Sequence, residues 1–396
     1  MVRKIAKGIG YLILLLLAAI ALFAAFNSTL VSNIAKVGGA KITEVEKYQP
    51  AQIVKGCSGP ALVSDAAGLP GATFEQMKAY SDQHGGVGLA VLRDGKLAAE
   101  SYRAGANAAT RASSQSMHKT VVAIMIGAAI GDGLIGSVDD PVGRYIDEWK
   151  DDPRGKITLR QLLSMASGLH NPSFSKMEMA AMNMMLADVS SAALGLKIEG
   201  KAGTFNYNNG NFQIAGLALS RALKKAERGD YAAYLSEKLW CPLGNADASL
   251  WLERAGGEPR YYAYLDASVQ DWARVGQLIA QQGKWGDKQL LPADWISKMA
   301  EPSPGNANYG LGIWRGTPWV KQRGYSKEVA MTVPQKEAML ADDVLFLDGF
   351  GGQRVYIIPS AKLVLSRSGE TDMAWDDSVL VNIALRGLQS PAPAGQ

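Results

Sequence analysis

The chain has 396 residues, 47% of them hydrophobic and 20% charged, and a formal net charge of +4. A chain of this length and composition can bury a large core and form one or two domains, and so small a net charge argues against a nucleic-acid partner. Its three histidines and two cysteines show no zinc-type spacing. We therefore expect neither a metal nor a cofactor.

The first predicted element is a membrane segment. Arg3, Lys4 and Lys7 precede an uncharged, mostly apolar run over residues 8–26. The run is just long enough to cross a bilayer core of about 30 Å as a helix, and basic residues before it predict a cytoplasmic N-terminus. Residues 1–28 are therefore predicted to anchor the protein in the inner (cytoplasmic) membrane, with the remainder facing the periplasm or exterior. A cleaved signal sequence is the alternative.

Residues 29–84 are predicted to be a linker that leads into a folded domain at residues 85–388. Cys57 lies in this linker, and the other cysteine, Cys241, lies far along the chain. An oxidising compartment would let the two pair, and closing so long a loop stabilises a fold by about 4 to 5 kcal/mol in the chain-entropy model. Two buried free thiols are the alternative.

Strand signals stand at both ends of the domain. Runs 87–92 and 96–102 flank Arg93-Asp94-Gly95, a strong hairpin signal, and runs 355–358 and 363–366 flank a short turn. A last helix is predicted over residues 377–385, followed by a disordered tail at 389–396. These signals predict an antiparallel sheet completed by both ends of the domain and flanked by helices. Residues 131–255 would form an all-helical insert, with the functional site at the seam.

Ser116-Met117-His118-Lys119 is the most informative motif of the chain. Residues three apart lie on one face of a helix, so the Lys119 amine can reach the Ser116 hydroxyl. A serine becomes a nucleophile when an adjacent base takes its proton, and a lysine can be that base only if its pKa falls well below about 10.4. The apolar residues 120–130 indicate a buried helix, which would lower it. A solvated helix face is the alternative, and His118 is predicted to pack on another face.

Two further patterns follow along the chain. Tyr207 and Asn209 form a Tyr-x-Asn in a turn-rich segment. The tyrosine could pass a proton to a leaving group and the asparagine could orient the amine or a substrate carbonyl, whereas an ordinary Asn-rich turn is the alternative. His170 is predicted to lie in a loop near the cleft. Residues 315–345 match no pattern, and we predict a loop over the cleft.

Several segments resemble one known family in their order along the chain. Besides the Ser-x-x-Lys, these segments are residues 131–134, 138–142, 157–169, 309–314 and 349–353. Together they resemble the serine β-lactamase-related superfamily, which includes penicillin-binding proteins, class C β-lactamases, esterases and 6-aminohexanoate-dimer hydrolases. The Gly-x-x-Gly-Gln pattern is similar to that of the esterase and aminohexanoate-dimer hydrolase branch.

The resemblance implies a β-lactamase/transpeptidase-like α+β fold and a serine hydrolase that forms an acyl-enzyme on Ser116. Lys119 and Tyr207 would be the general base and acid, and which of them is the primary base stays open. The Ser116 and Phe350 amides would form the oxyanion hole. The residues expected to contact the substrate or its oxyanion are Asn209, Phe350, Gly351 and Gly352.

One departure from the family pattern bears on the substrate. The family carries a Lys-Thr-Gly-like triad whose cation and hydroxyl help to hold a substrate carboxylate, and the resemblance places Leu347, Asp348 and Gly349 there. Leu347 cannot pair with a carboxylate and Asp348 is expected to repel one, unless Arg354 supplies the missing cation. We therefore expect a small ester or amide substrate. A cell-wall D,D-peptidase or β-lactamase, and a non-catalytic binding or sensing module of the same fold, are the alternatives.

Overall fold

The computed structural model describes residues 2–26, 28–172, 188–326 and 331–389. The predicted tail beyond residue 389 and residues 327–330 of the predicted loop over the cleft lie outside this part of the chain. The strands are β1 (Ala51–Val54), β2 (Gly86–Arg93), β3 (Lys96–Tyr102), β4 (Ala248–Trp251), β5 (Leu265–Asp266), β6 (Lys284–Trp285), β7 (Lys288–Gln289), β8 (Trp314–Arg315), β9 (Gln322–Gly324), β10 (Thr332–Pro334), β11 (Leu345–Gly349), β12 (Gln353–Ile358) and β13 (Leu363–Gly369). The helices are α1 (Val2–Phe26), α2 (Ser28–Val37), α3 (Gly71–Gln83), α4 (His118–Gly131), α5 (Leu159–Leu163), α6 (Val189–Leu194), α7 (Asn209–Lys225), α8 (Tyr231–Leu235), α9 (Val269–Ala280), α10 (Trp295–Met299) and α11 (Val379–Gln389).

The main sheet has six strands in the order β3-β2-β13-β12-β11-β8. Every neighbouring pair is antiparallel. The chain supplies β2 and β3 before the helical region and the other four strands after it. The predicted antiparallel sheet, completed from both ends of the domain, is confirmed.

The β2–β3 hairpin shows why its turn residues were informative. Arg93 pairs with Lys96, and the two residues between them, Asp94 and Gly95, have φ angles of 51° and 77°. Positive φ at both central positions matches the twist of the two strands. Asp and Gly are among the residues that tolerate this conformation best.

Helices cover both faces of the sheet. The helix α9 packs on β2, β12 and β13, and α3 packs on β2 and against α11. The helix α4 contacts α7 and α10, and its side chains from His118 to Ala129 are buried, as expected for a helix that is apolar all round. Residues 131–255 hold α5 to α8 together with the strand β4, which pairs with β1 and β5 in a separate small sheet.

The N-terminal part of the chain begins with α1. Within it, residues Gly8–Ala25 are long and apolar enough for a membrane span or a signal sequence, and none of them is buried against the fold. The chain enters the core soon afterwards, because Val37 is buried and Ile42 packs with Val87 and Ala112.

A disulfide joins the N-terminal segment to the helical region. Cys57 follows β1, and it is bonded to Cys241 with Cα atoms 4.7 Å apart. The bond joins two cysteines that are 184 positions apart in the sequence. It therefore reinforces the β1–β4 pairing, which connects the same two parts of the chain.

Candidate active site

Ser116 lies on the short 3-10 turn Gln115–Met117, which leads directly into α4. Gln115, the residue before it, has a φ of 48°, a left-handed conformation that costs a non-glycine residue about 1–2 kcal/mol. Ser116 is partly exposed, whereas His118 and Lys119 are buried. The strained turn therefore presents the serine at the surface while the helix takes the lysine into the core.

The Lys119 amine is held between two oxygen atoms. Its Nζ lies 2.9 Å from Ser116 Oγ and 2.8 Å from the carbonyl oxygen of Tyr262. Burial lowers the pKa of Lys119 well below its ordinary value, and the negative charge of Asp348 opposes this only in part. A neutral amine donates one N–H to the carbonyl and keeps its lone pair available for the serine proton.

The ring of Tyr207 lies next to the amine. The Lys119 Nζ lies 4.9 Å from the centroid of the Tyr207 ring. Burial raises the pKa of Tyr207 well above 10, with smaller contributions from Tyr309 and Asp348, and a hydrogen bond with the Ser116 side chain opposes them. The phenol therefore keeps its proton at neutral pH and is available as a donor.

Aromatic rings fix the orientation of Tyr207. Its ring stacks on Trp314 at 5.9 Å and meets Tyr309 and Tyr325 edge-on at 6.0 and 5.1 Å. Its backbone N–H donates to the Tyr325 carbonyl, and the Asn171 side chain donates to its carbonyl. These contacts leave the hydroxyl as the part of Tyr207 that can reach a substrate.

Asn209, the other member of the Tyr-x-Asn pattern, is the first residue of α7. The preceding Asn208 caps this helix, because its side chain accepts a hydrogen bond from the Gly210 N–H. Asn208 also donates to the carbonyls of Leu169 and His170. The middle residue of the Tyr-x-Asn pattern is therefore the helix cap, and Asn209 begins the helix directly after it.

The end of β11 and the turn after it lie beside the nucleophile segment. A Cβ atom on Gly349 would lie 2.5 Å from the Ser114 carbonyl oxygen, so only glycine allows this close approach. Phe350 follows with 41% of its surface exposed, and Gly351 and Gly352 have φ angles of 74° and 92°. The predicted oxyanion residues therefore form the tip of the β11–β12 hairpin, next to the turn that carries Ser116.

Behind this strand lies a cluster of four buried charges, which we call the charge cluster: Arg323, Asp348, Arg354 and Asp377. Asp348 lies 2.6 Å from Arg354 and 3.3 Å from Arg323, and Asp377 lies 2.8 and 2.9 Å from the same arginines. The hydroxyl of Tyr325 donates to Asp348 at 2.8 Å. Burial opposes ionisation of Asp348, but the two arginines hold its pKa below the usual value.

The charge cluster corrects two sequence-based expectations. Asp348 does not present a free negative charge to a substrate carboxylate, because two arginines neutralise it, so the expected repulsion is wrong. Arg354 cannot supply the missing cation of the family triad, because it is buried and pairs with both aspartates. Leu347 is fully buried and has no charge. The position therefore offers no cation to a substrate carboxylate.

The segment at residues 315–345 contributes to the site. Its strands β9 and β10 pair, and Arg323 and Tyr325 extend from this region to Asp348. Tyr325 also contacts Tyr207 through its ring and its carbonyl. The segment thus packs against Tyr207 and helps to hold it in place. Its sequence did not indicate this role.

The other two histidines lie away from the Ser116–Lys119 pair in contacts of their own. His84 is 2.8 Å from Asp372 and packs on Tyr80 and Trp375. His170 is 2.6 Å from Glu199 on the wall of a surface cavity of about 270 Å³, which is also lined by Phe205 and Asn206. The cavity adjoins the backbone that leads to Tyr207.

Fold and site together define the class. An antiparallel sheet, a helical region beside it and a Ser-x-x-Lys heading the buried helix between them form a β-lactamase/transpeptidase-like serine hydrolase architecture. The family model Beta-lactamase matches residues 72–368, which is most of the chain. The chain belongs to this family.

Individual proteins resemble the chain more distantly. A Bacillus anthracis protein assigned as a 6-aminohexanoate-dimer hydrolase superposes with a TM-score of 0.68 at 20% identity, covering 88% of this chain and 91% of that one. A D-stereospecific amidohydrolase from Streptomyces gives 0.58 at 16% identity, covering 80% and 99%. Protein flp of Staphylococcus aureus is 28% identical over 111 residues, or 27% of this chain. The match spans about a fifth of the length of that relative.

Proposed function

We propose that the protein is a serine hydrolase that cleaves a small ester or amide through an acyl-enzyme on Ser116. The observation that carries the proposal is the contact between Lys119 Nζ and Ser116 Oγ at 2.9 Å. Burial lowers the pKa of this amine well below its ordinary value. No acidic side chain among the described residues contacts this amine, and an unpaired buried lysine is costly unless it serves as a base.

The proposed reaction begins when Lys119 takes the proton of the Ser116 hydroxyl. The serine oxygen bonds to the substrate carbonyl carbon, and the negative charge that develops on the carbonyl oxygen is stabilised by the Ser116 and Phe350 amides. The bond to the leaving group then breaks, and the Tyr207 phenol supplies its proton. A water molecule later attacks the acyl carbon and gives a proton to Tyr207, and the Ser116 oxygen leaves with the proton that Lys119 had taken, which releases the acid and restores all three residues. The opposite pKa directions of Lys119 and Tyr207 support this division into base and acid.

The substrate class rests on the strand that edges the site. Leu347 is buried and uncharged where the family carries a cation, and Arg354 is fully paired within the charge cluster. A β-lactam or D-Ala-D-Ala carboxylate would lose a charge-assisted hydrogen bond worth about 1.5–3 kcal/mol. We therefore propose neutral esters and amides as substrates, and the names of the fold relatives, an aminohexanoate-dimer hydrolase and an amidohydrolase, are consistent with amides.

The test combines labelling with turnover. We expect a fluorophosphonate to add one mass equivalent to the full-length protein and p-nitrophenyl acetate or butyrate to turn over faster than nitrocefin at equal concentration. Ser116→Ala should abolish labelling and hydrolysis, whereas Ser360→Ala, at an exposed serine in the β12–β13 turn, should retain both. Wild-type turnover by Ser116→Ala would refute the mechanism, and efficient nitrocefin hydrolysis would refute the substrate class.

We also propose that α1 is an uncleaved anchor in the inner membrane, with the N-terminus in the cytoplasm and the hydrolase domain outside. Its uncharged span follows three basic residues, and a disulfide between Cys57 and Cys241 suits an oxidising compartment. Protein purified from the membrane should retain its N-terminal residues and give the disulfide-linked peptide in a non-reducing map. A mature N-terminus beyond Phe26 would exclude the anchor.

A further inference from the structure

His118 lies inside the Ser-x-x-Lys motif, yet its side chain contacts a distant part of the chain. It is fully buried, and its Nδ1 lies 3.0 Å from the Ala263 carbonyl oxygen and 3.3 Å from that of Arg260. Its Nε2 lies 3.0 Å from the hydroxyl of Tyr231 on α8. Both ring nitrogens therefore have partners.

These partners determine the tautomer. A carbonyl oxygen only accepts hydrogen bonds, so Nδ1 must carry the hydrogen. Burial lowers the pKa of His118 to about 4, with a smaller lowering from Lys119, while the two carbonyls oppose the shift. The ring is therefore neutral, and its Nε2 accepts from the Tyr231 phenol, whose pKa is raised by burial.

In the sequence, the carbonyl that accepts a hydrogen bond from Lys119 lies between the two carbonyls that accept from His118. Nδ1 binds the carbonyls of residues 260 and 263, and Lys119 Nζ donates to that of Tyr262 at 2.8 Å. Two adjacent residues at the start of α4 thus bind one short backbone segment. A neutral amine has two hydrogens and one lone pair, so donating one hydrogen to the Tyr262 carbonyl leaves two directions for the lone pair, and the position of that carbonyl sets both.

We propose that His118 is a positioning residue for the base: its Nδ1–H fixes the segment 260–263, so that the Tyr262 carbonyl orients the Lys119 lone pair toward Ser116 Oγ. The inference rests on the proposed function and adds a residue that touches neither the substrate nor Ser116. It also gives a chemical reason for a histidine at this position, since a leucine of similar volume would pack but could not donate.

The kinetic test uses full-length protein in detergent micelles. His118→Leu removes the donor, and His118→Asn retains an N–H close to the place of Nδ1. We expect His118→Leu to slow fluorophosphonate labelling about a hundredfold, the usual effect of a misplaced catalytic group, with KM for p-nitrophenyl acetate unchanged. His118→Asn should recover most of the rate, and Tyr231→Phe, which keeps the Nδ1 donor, should label within about threefold of wild type.

A crystal structure of each variant supplies a readout that needs no turnover. In His118→Leu the distance from Lys119 Nζ to the Tyr262 carbonyl oxygen should exceed about 3.5 Å, the outer limit of a hydrogen bond, and in His118→Asn it should stay shorter. An inactive wild-type enzyme would refute the proposed function, while these distances would still test His118. Wild-type labelling by His118→Leu would overturn the inference, and so would Tyr231→Phe labelling about a hundredfold more slowly than wild type. If His118→Leu fails to fold, that last comparison decides.

Discussion

Lys119 and the charge cluster show two ways of burying a base in one protein. Lys119 is surrounded by a hydroxyl, a carbonyl and aromatic rings, and its pKa falls. Arg323 and Arg354 are as deeply buried, but each contacts two carboxylates, and the pKa of each rises although burial alone would lower it. The immediate partners, rather than the depth, decide the protonation state.

The comparison matters because the two sites share a neighbour. Asp348 belongs to the charge cluster and also raises the pKa of Lys119 from a distance. If Asp348 bound the amine directly, Lys119 would hold its proton and could not act as a base. The arginines that neutralise Asp348 therefore help to keep the amine neutral.

The largest effect should follow from replacing the isolated amine. Lys119→Met removes the base, so we expect turnover of p-nitrophenyl acetate to fall by about a hundredfold to ten-thousandfold. The free energy of unfolding should rise, because the pKa of the wild-type lysine is lowered in the folded protein, so that below pH about 10.4 the lysine takes up protons on unfolding. Stopped-flow kinetics and urea denaturation at pH 6 and pH 9 measure both quantities.

The stability gained by Lys119→Met should depend on pH in a definite direction. The folded pKa is lowered, so the stability gain of Lys119→Met should be larger at pH 6 than at pH 9. Lys298, a partly exposed lysine that pairs with Asp294, provides a control, and Lys298→Met should change neither turnover nor stability appreciably. A loss of stability in Lys119→Met would mean that the amine is charged in the folded protein.

Breaking the charge cluster should have the opposite effect on stability. Asp348→Ala leaves two buried arginines with one carboxylate between them, and removing one partner of a buried pair costs about 3–5 kcal/mol. We expect the urea midpoint to fall, and Asp377→Ala to behave similarly. Unchanged midpoints would show that the cluster is not ion-paired in solution.

Removing the charge of Asp348 should also change the pKa of the base, Lys119. Without the negative charge of Asp348, and with excess positive charge nearby, the pKa of Lys119 should fall further. The acid limb of the kcat/KM profile for Asp348→Asn should therefore move to lower pH. A shift to higher pH would contradict the electrostatic link between the two sites.

A smaller effect is expected at Tyr207. Tyr207→Phe keeps the aromatic packing but removes the proton donor, so turnover should fall by about a hundredfold. Because the pKa of the wild-type phenol lies well above 10, kcat/KM should rise through one acid limb and stay level up to about pH 9. If Tyr207→Phe were kinetically silent, the proton would have to reach the leaving group by another route.

The smallest effect should come from an ion pair at the surface. Arg386 and Glu337 lie 2.5 Å apart with side chains 54% and 41% exposed. Exposed pairs of this kind contribute little to stability, so Arg386→Ala should hardly move the urea midpoint or the turnover. A loss comparable to that of Asp348→Ala would remove the distinction between exposed and buried pairs in this protein.

Local signals predicted much of the fold and the centre of the site. The Asp94-Gly95 turn, the strand-forming runs beside it and the apolar helix after Ser116 are short-range patterns, and spacing alone brings Ser116 and Lys119 together. The charge cluster has no such pattern, since Arg323 and Asp377 are 54 residues apart. The Tyr262 carbonyl lies 143 residues from Lys119 in the sequence. Every residue has a backbone carbonyl, so the residue type does not show which one accepts the hydrogen bond.

The short passage from α1 into the core determines how far the hydrolase could work from a lipid surface. The first buried side chains lie within the ten-residue helix α2 itself, where Asn33 is buried and Val37, at the end of the helix, is already in the core. Ten helical residues rise about 15 Å, and Cys57 pins the following segment to the domain. An anchored enzyme would therefore operate at a nearly constant height above the headgroups. It would encounter molecules that diffuse along the bilayer rather than ones held far from it.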